Sequence, residues 1–305
     1  MATIEDGRHM TQPRPSRRGG SFRGGARQAP RGPGGEQVEG RQAVAELLAA
    51  GRRRVFDVWI EADAPAAPIL ARIAELADES GVPVRRVSAG RLAAEARTDA
   101  PQGVLAHARP LPEADLDELC RGGPDATPPR SGHAGQPLRS GHAGQPLPSG
   151  RAGPAFLLAL DGVTDPQNLG GLLRTAEGAG VTGAVLPRHR AVHVTPAATK
   201  AAAGAIEHIP LALVGGLPAA LSRVRDSGVW VVGLDPDASE SLYDLGVADE
   251  AVVVVLGAEG RGLSRLVRER CDVLVRIPLR GSIPSLNVAA AGALALFEVS
   301  RRRTR

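Results

Sequence analysis

Apolar residues recur along residues 36–110 at spacings that switch between those of helices and those of strands. Apolar positions three and four apart predict a helix, and short β-branched runs bounded by Gly or Pro predict a strand. The pattern lies in Val44, Leu47, Leu48 and 69–76 for two helices, and in 55–60, 82–84 and 103–106 for three strands. Residues 36–110 are therefore predicted to form a small α/β domain.

Residues 154–305 continue this alternation with longer and more apolar strands. Continuous apolar runs at 155–160, 229–234 and 251–256 are typical of parallel strands that are buried on both faces. Helical patterns occupy 168–178 and 285–301, the second as a closing helix. This half is predicted to be a second α/β domain, built on a parallel sheet.

Two segments lack any pattern that would bury a core. Residues 1–35 consist largely of Gly, Pro, Arg and Ser, which predicts a disordered tail. Residues 111–153 contain a nine-residue unit at 130–138 that recurs unchanged at 139–147, so we expect a flexible linker. The Arg/Gly tract at 17–25 resembles segments that bind RNA loosely, and a solvated tail without a partner explains it equally well.

The distribution of charge says more than its total. The chain has 305 residues and a net charge of +4, and Lys200 is its one lysine among 37 basic residues, as a GC-rich coding bias would produce. Residues 1–35 carry a net charge of +5 and residues 301–305 carry +4, whereas residues 36–300 carry −5. Because basic tails attract polyanions, both ends are expected to act as accessory arms that hold RNA on an acidic body.

Several classes of protein are disfavoured by what the sequence contains. Cys120 and Cys271 form neither a disulfide framework nor a zinc pattern, and the seven histidines include no metal-hydrolase motif. The first residues lack the apolar stretch of a signal peptide, and the apolar run at 288–297 is too short to span a bilayer. We therefore expect a soluble cytoplasmic protein that needs neither a metal nor a membrane.

Three polar clusters follow predicted strands of the second domain, where ligands bind in open α/β sheets. The first, at 161–176, contains Asn168 and Arg174; Asn168 is either a helix cap or a functional amide, and Arg174 is either a surface group or an anion contact. The second, at 256–263, places Glu259 at the mouth of a buried strand, where a charge needs a partner. Its glycine spacing matches neither a dinucleotide fingerprint nor a P-loop.

The third cluster spans residues 277–289 and leads into the last predicted helix. Ser285 is a candidate N-cap of that helix. Asn287 follows in the first turn, where its amide either supports the cap or reaches a ligand.

Together these clusters read N-x-G-x-x-x-R-T-A, G-A-E-G-x-G-L and I-P-(x)6-S-L-N-V, and they resemble the SpoU (TrmH-like) RNA 2′-O-ribose methyltransferases of the SPOUT superfamily. The resemblance implies a catalytic domain with a C-terminal trefoil knot, preceded by a small L30e-like substrate-binding domain at 36–110. It implies S-adenosyl-L-methionine as cofactor, a homodimer packed through the knot region, and rRNA as substrate. Within the rRNA-modifying branch that carries this small domain, the closest resemblance is to enzymes that methylate a guanosine of large-subunit (23S) rRNA.

The family's functional residues fall on matching positions of this chain. The catalytic and substrate-positioning positions are Asn168, Arg174, Glu259, Ser285 and Asn287. The cofactor positions are Gly257, Glu259, Gly260, Ile277, Pro278 and Leu286, used largely through backbone. Pro284 and Ala289 depart from the usual family pattern without removing a matched group.

Three alternatives to this interpretation stay open. The same chemistry on tRNA or on an rRNA adenosine, as in antibiotic resistance, would use the same residues. A catalytically silent RNA-binding or ribosome-assembly factor would share the fold. A nicotinamide-dependent enzyme is disfavoured by the absence of a dinucleotide fingerprint.

Overall fold

The computed structural model describes residues 33–122, 153–189, 193–283 and 285–304. Most of the expected tail at 1–35, the repeat-containing part of the expected linker, and Pro284 lie outside the described residues. The first domain consists of β1 (Gln37–Glu39), α1 (Arg41–Ala50), β2 (Val55–Glu61), α2 (Pro68–Glu79), β3 (Val84–Val87), α3 (Ala89–Glu95) and β4 (Val104–Ala108). Its strands form one sheet in the order β1-β4-β2-β3, with β2 and β3 parallel and the other pairs antiparallel.

The second domain is built on a sheet of seven parallel strands in the order β7-β6-β5-β10-β8-β11-β9. The strands are β5 (Phe156–Asp161), β6 (Gly183–Pro187), β7 (Leu211–Val214), β8 (Trp230–Leu234), β9 (Glu240–Ser241), β10 (Val252–Gly257) and β11 (Val273–Arg276). The helices are α4 (Leu116–Arg121), α5 (Pro166–Ala179), α6 (Pro196–Ala201), α7 (Leu217–Asp226), α8 (Arg265–Arg268) and α9 (Val288–Arg303), with 3₁₀ turns at Ala205–Glu207 and Leu242–Asp244.

The sheet of the second domain is buried on both faces, as the continuous apolar strands predicted. One core packs α5, α6 and α9 against β5 and β10, and the other packs α4 and α7 on the opposite face. Gly292 lets α9 approach closely, because a Cβ there would lie 2.3 Å from Leu172 Cδ2 and 2.8 Å from Leu256 Cδ1. This close packing brings the start of α9 beside α5 at the carboxyl edge of the sheet.

The expected linker at 111–153 begins too early, because its first part is folded. Helix α4 starts at its N-cap Asp115, whose side chain accepts hydrogen bonds from the backbone of Asp117 and Glu118. Leu119 and Cys120 are buried in the core of the second domain. The polar, proline-containing approach to α4 concealed a short amphipathic helix, one turn and a half long.

The expected tail at 1–35 also extends too far, because its last residue is hydrogen-bonded to the second domain. Gly35 N donates to Val194 O at 2.9 Å. This contact belongs to an interface between the two domains. Arg53, from the loop after α1, forms a buried ion pair with Glu207 of the second domain. Nearby, His208 Nε2 lies 2.9 Å from Glu46 Oε2, and Lys200 Nζ donates to Ala100 O at 2.5 Å. These contacts fix the first domain to α6 and the 3₁₀ turn that follows it.

The arginines at the end of the chain do not form the expected basic arm. Arg301 and Arg302 both donate to Glu298, and these hydrogen bonds, Arg301's first, lower the pKa of Glu298 to about 2. Arg303 donates to carbonyls of Pro154, Ala155, Ala248 and Glu250, and its guanidinium carbon lies 4.6 Å from the centre of the Phe156 ring. Burial lowers the pKa of Arg303 to about 10. Arg302, which also donates to Leu245 O, and Arg303 therefore fasten α9 to the rest of the domain, whereas Arg301 pairs within the helix. Arg305 lies outside the described residues.

Candidate active site

The three polar clusters meet at the carboxyl edge of the parallel sheet. β5 ends at Asp161, β10 ends at Gly257 and β11 ends at Arg276, and β5 and β10 are adjacent. Parallel strands present their carboxyl ends to the same side, where ligands bind in open α/β sheets. The three clusters, each of which follows a strand in the sequence, therefore lie along one edge of the sheet.

A chain of amide and carboxylate groups links the three clusters. Asn287 Nδ2 donates to Asn168 Oδ1 at 3.0 Å, and Asn168 Nδ2 donates to Glu259 Oε2 at 3.3 Å. Glu259 is exposed, so its charge is hydrated as well as paired. The order of donors and acceptors fixes the orientation of both amides, since Asn168 uses its oxygen toward Asn287 and its nitrogen toward Glu259.

The helix caps differ from those expected. Asp165, and not Asn168, caps α5, because its carboxylate accepts from the backbone of Gln167 and Asn168 and Pro166 follows at the first helical position. Asn287, and not Ser285, caps α9, because Asn287 Oδ1 accepts from Ala289 N at 2.9 Å. Asn168 is thus free to use its side chain in the site, whereas Asn287 does both jobs with the two ends of one amide.

The remaining two predicted residues lie apart from this chain of hydrogen bonds. Arg174 is exposed on α5 and forms no hydrogen bond or ion pair with the residues that the structure describes. Ser285 is exposed in the loop before α9, and it too makes no side-chain hydrogen bond within the described ranges. Both side chains face solvent and have donors to offer to a ligand.

The tight conformation of the loop after β10 requires glycine at two positions. Ala258 and Gly262 exchange two backbone hydrogen bonds, at 3.0 and 2.8 Å, and a Cβ at Gly257 would lie 2.1 to 2.3 Å from backbone atoms of Gly262 and Leu263. Gly260 has a φ of +77°, a conformation that favours glycine. This tight loop holds Glu259 out over the carboxyl edge.

The other cofactor candidates lie in the loop between β11 and α9. Ile277 is half-buried against the core, whereas Pro278 and Leu286 are exposed. The side chain of Ile283 in the same loop is 72% exposed. The loop therefore offers apolar side chains and free backbone groups on the β11 side of Glu259.

A cleft of about 870 Å³ opens at the carboxyl ends of β5, β6 and β7 and is bordered by the loop after β10 that carries Glu259. Its wall includes Asp161, His189 and the turn before α7, together with Asn168 and Glu259. Asp161 is the first residue of the polar cluster at 161–176, but no role was predicted for it, and neither His189 nor the turn was predicted to belong to the site. Their signal was the same one that located the clusters, namely polar or glycine residues directly after a strand.

The two cysteines lie outside this site. Burial raises the pKa of the Cys271 thiol to about 12, and it does the same for Cys120, so both thiols are protonated at neutral pH. Within the described ranges, no three His, Cys, Asp or Glu side chains come together as metal ligands would. The helices described there include none that combines the length and the apolarity needed to cross a membrane.

Known proteins match both domains. The SpoU rRNA Methylase family profile matches residues 155–297, and a profile described as RNA 2′-O ribose methyltransferase substrate binding matches residues 37–114. The 23S rRNA (guanosine-2′-O-)-methyltransferase RlmB of Pseudomonas putida is 35% identical over 271 residues, which cover 88% of this chain and 97% of the relative. RlmB of Pseudomonas syringae is 36% identical over 272 residues, covering 88% and 96%.

Solved structures share the fold. The SpoU methyltransferase AviRb from Streptomyces viridochromogenes, crystallised with AdoMet, superposes with a TM-score of 0.66 at 21% identity, covering 88% of this chain and 90% of its own. An AdoMet-bound rRNA methyltransferase from Sinorhizobium meliloti gives a TM-score of 0.65 at 24% identity, covering 87% of each chain. With the site at the carboxyl edge and a likeness to two relatives that covers 88% of this chain, this chain belongs to the SpoU (TrmH-like) RNA methyltransferase family.

Proposed function

We propose that this protein transfers a methyl group from S-adenosyl-L-methionine to the 2′-hydroxyl of a guanosine in 23S rRNA. The observation that carries the proposal is the Asn287–Asn168–Glu259 chain of hydrogen bonds, which joins the three family motifs at one point of the carboxyl edge. The likeness to RlmB proteins over nearly their whole length supports the choice of 23S rRNA and guanosine. The reaction would take place in the cytoplasm, where rRNA is made in bacteria.

The residues on the β11 side of Glu259 fit S-adenosylmethionine. Exposed apolar side chains at Leu279, Ile283 and Leu286 suit the flat adenine ring, and the Glu259 carboxylate suits a cation such as a sulfonium. Gly257, Gly260, Ile277 and Pro278 would add backbone contacts. When bound, this cofactor supplies an electrophilic methyl group, which needs no metal to activate it.

The remaining task of the protein is to bring the ribose oxygen into line and to help it lose its proton. Alignment of two reactants can supply much of the reduction in the barrier. Arg174 is a poor general base, since a guanidinium has a pKa above about 12. Its role is to anchor a phosphate of the RNA and to lower the pKa of the adjacent hydroxyl electrostatically, while Asn168 and Ser285 orient the ribose.

A second copy of the chain is proposed to cover the exposed face of α9. Leu294 and Phe297 lie on that face one turn apart, with the Phe297 side chain 51% exposed, and the apolar loop at 279–286 leads into the same helix. Arg174 lies one turn from Gly178, and a Cβ at Gly178 would be 3.8 Å from Phe297 Cζ. The homodimer would thus place Arg174 beside its interface, where RNA can touch both subunits.

The proposed division of labour assigns RNA binding to residues 36–110 and chemistry to 154–305. The trefoil knot, the disordered tail at 1–35 and a flexible linker in the region of 123–152 stay predictions from the family resemblance and the composition.

Mapping ribose methylation across rRNA and tRNA, with and without the gene, tests the proposal. We expect loss of one 2′-O-methylguanosine in 23S rRNA, restored by the wild-type gene. Loss at a tRNA position or at an rRNA adenosine would establish the alternative substrate instead. No change at any 2′-hydroxyl would leave only the RNA-binding or assembly role and would overturn the enzymatic proposal.

A further inference from the structure

The cleft above β5, β6 and β7 shares Glu259 with the cofactor contacts proposed above. The loop after β10 also lines it through Arg261, Gly262 and Ser264, whereas Gly257, Gly260 and the loop after β11 do not. Asn168 and Glu259 both line the cleft, so it borders the site that the family motifs form. A group held in the cleft would meet the transferred methyl group at this boundary.

Asp161 is held in the cleft with one acceptor to spare. It is the last residue of β5, and its Oδ2 accepts a hydrogen bond from Ser264 N at 2.6 Å. Its Oδ1 accepts none from the residues that the structure describes. The backbone contact fixes the carboxylate, so that Oδ1 is presented to a ligand without loss of side-chain freedom on binding.

The other walls of the cleft suit a flat ring. Val163, Leu217 and Pro218 provide apolar surface, and the exposed imidazole of His189 stands at the end of β6. Enzymes that modify single nucleotides hold an unstacked base between such groups and read its Watson–Crick edge with hydrogen bonds. The volume of about 870 Å³ is ample for a purine nucleotide.

We propose that this cleft receives the base of the target nucleotide and that Asp161 Oδ1 selects guanine. The inference rests on the proposed function and names the residue that sets its base specificity. Guanine presents two adjacent donors, N1–H and the 2-amino group, to a carboxylate. Adenine presents its N1 lone pair at the same place, which a carboxylate oxygen repels. Asp161 thereby favours guanosine over adenosine as the target nucleotide.

The experiment measures kcat/KM of the full-length protein on an rRNA fragment whose target nucleotide is guanosine, inosine, 1-methylguanosine or adenosine. Inosine lacks the 2-amino donor, and 1-methylguanosine lacks N1–H. Because a hydrogen bond to a charged group contributes about 10- to 100-fold, the wild type should lose about that factor with each analogue. A wild type that accepts 1-methylguanosine or adenosine as well as guanosine would overturn the proposal without reference to any variant.

The variant Asp161→Asn keeps an oxygen for Ser264 N and replaces the free acceptor by a donor. We expect its kcat/KM on guanosine to fall about 10- to 100-fold and its penalty for inosine to disappear, while cofactor affinity by calorimetry is unchanged. Asp115→Asn is the matched control, since Asp115 lies outside the cleft and an asparagine caps α4 equally well. It should behave as wild type.

The outcomes distinguish a failure of the proposed function from a failure of the proposed role of Asp161. A wild type that methylates no RNA overturns the proposed function, and this inference with it. A wild type that methylates guanosine, together with an Asp161→Asn variant that retains the full inosine penalty, overturns only the role of Asp161.

Discussion

Arg53 of the first domain and Glu207 of the second form a two-pronged ion pair that solvent barely reaches. Arg53 Nη2 lies 2.6 Å from Glu207 Oε1 and Arg53 Nε donates to Oε2 at 3.0 Å, with the side chains 2% and 1% exposed. Arg53 Nη1 also donates to Gly35 O and Arg109 O, both at 2.6 Å. One guanidinium therefore joins both domains and the segment that enters β1.

Removing one partner of this ion pair should lower the free energy of unfolding by far more than the intact pair contributes to it. Arg53→Met leaves a buried, unpaired carboxylate, for which about 3 to 5 kcal/mol of stability is the expected loss. Urea unfolding measures this loss of stability. The double variant Arg53→Met/Glu207→Met should recover a large part of the lost stability, because no unpaired charge stays buried. Arg265→Met, which breaks the exposed pair with Glu269, is the control and should cost about 0 to 1 kcal/mol. Equal costs for the two single variants would contradict a buried clamp.

The two functions of Asn287 can be separated by a pair of substitutions. Asn287→Ala removes the N-cap of α9 and should lower stability by about 0.5 to 2 kcal/mol, as well as abolishing activity. Asn287→Asp keeps the capping oxygen but cannot donate to Asn168, so it should melt near the wild type while methyl transfer falls sharply. Thermal melting and a methylation assay on the same samples measure both. An active Asn287→Asp variant would show that the hydrogen bond to Asn168 is dispensable.

Gly257 is required for a steric reason. In Gly257→Ala the new methyl group would overlap the backbone of Gly262 and Leu263, so the loop that carries Glu259 must shift, at a cost of about 1 to 3 kcal/mol. Calorimetry should also record weaker cofactor binding. Gly246→Ala is the control, because a Cβ there meets nothing within 4 Å and the residue lies outside the proposed cofactor loops. Wild-type stability and cofactor affinity in Gly257→Ala would contradict the close approach.

Arg174 is expected to act on RNA and not on the cofactor. Arg174→Ala should abolish methylation and leave cofactor affinity by calorimetry largely intact, because the side chain is exposed and forms no hydrogen bond or ion pair with the described residues. Lys in its place keeps the charge but loses the planar pair of donors that suits phosphate, so Arg174→Lys should recover only part of the rate. Loss of cofactor binding in Arg174→Ala would refute this assignment.

Hydrophobic spacing predicted the two domains and the parallel sheet, because a long apolar strand can be buried in few ways other than between two layers of helices. The three motifs indicated the site for a different reason, since each directly follows a strand. The caps were less predictable: Asp165 and Asn168 lie three residues apart, and either is a good cap in isolation. The choice depends on Glu259 and Asn287, which lie 91 and 119 residues away along the chain from Asn168.

The terminal arginines illustrate a different limit. Composition showed a cluster of positive charge, but only tertiary structure reveals that Arg303 points at the carbonyls of 154, 155, 248 and 250. A local sequence pattern contains no information on such distant acceptors. Helix α4 escaped notice for a related reason, because it is held by α7 and not by its own length.

The fastening of α9 has a consequence for synthesis of the protein. Arg303 of α9 is hydrogen-bonded to Ala155, at the start of the first strand of the second domain, and Gly292 allows α9 to pack closely against α5 and β10. One face of the sheet therefore stays partly uncovered until this helix has been made. Nascent chains fold from their N-terminal domain onward. The first domain can therefore mature early, while the half-made second domain exposes apolar surface until its final helix leaves the ribosome, and that interval is when it most needs a chaperone.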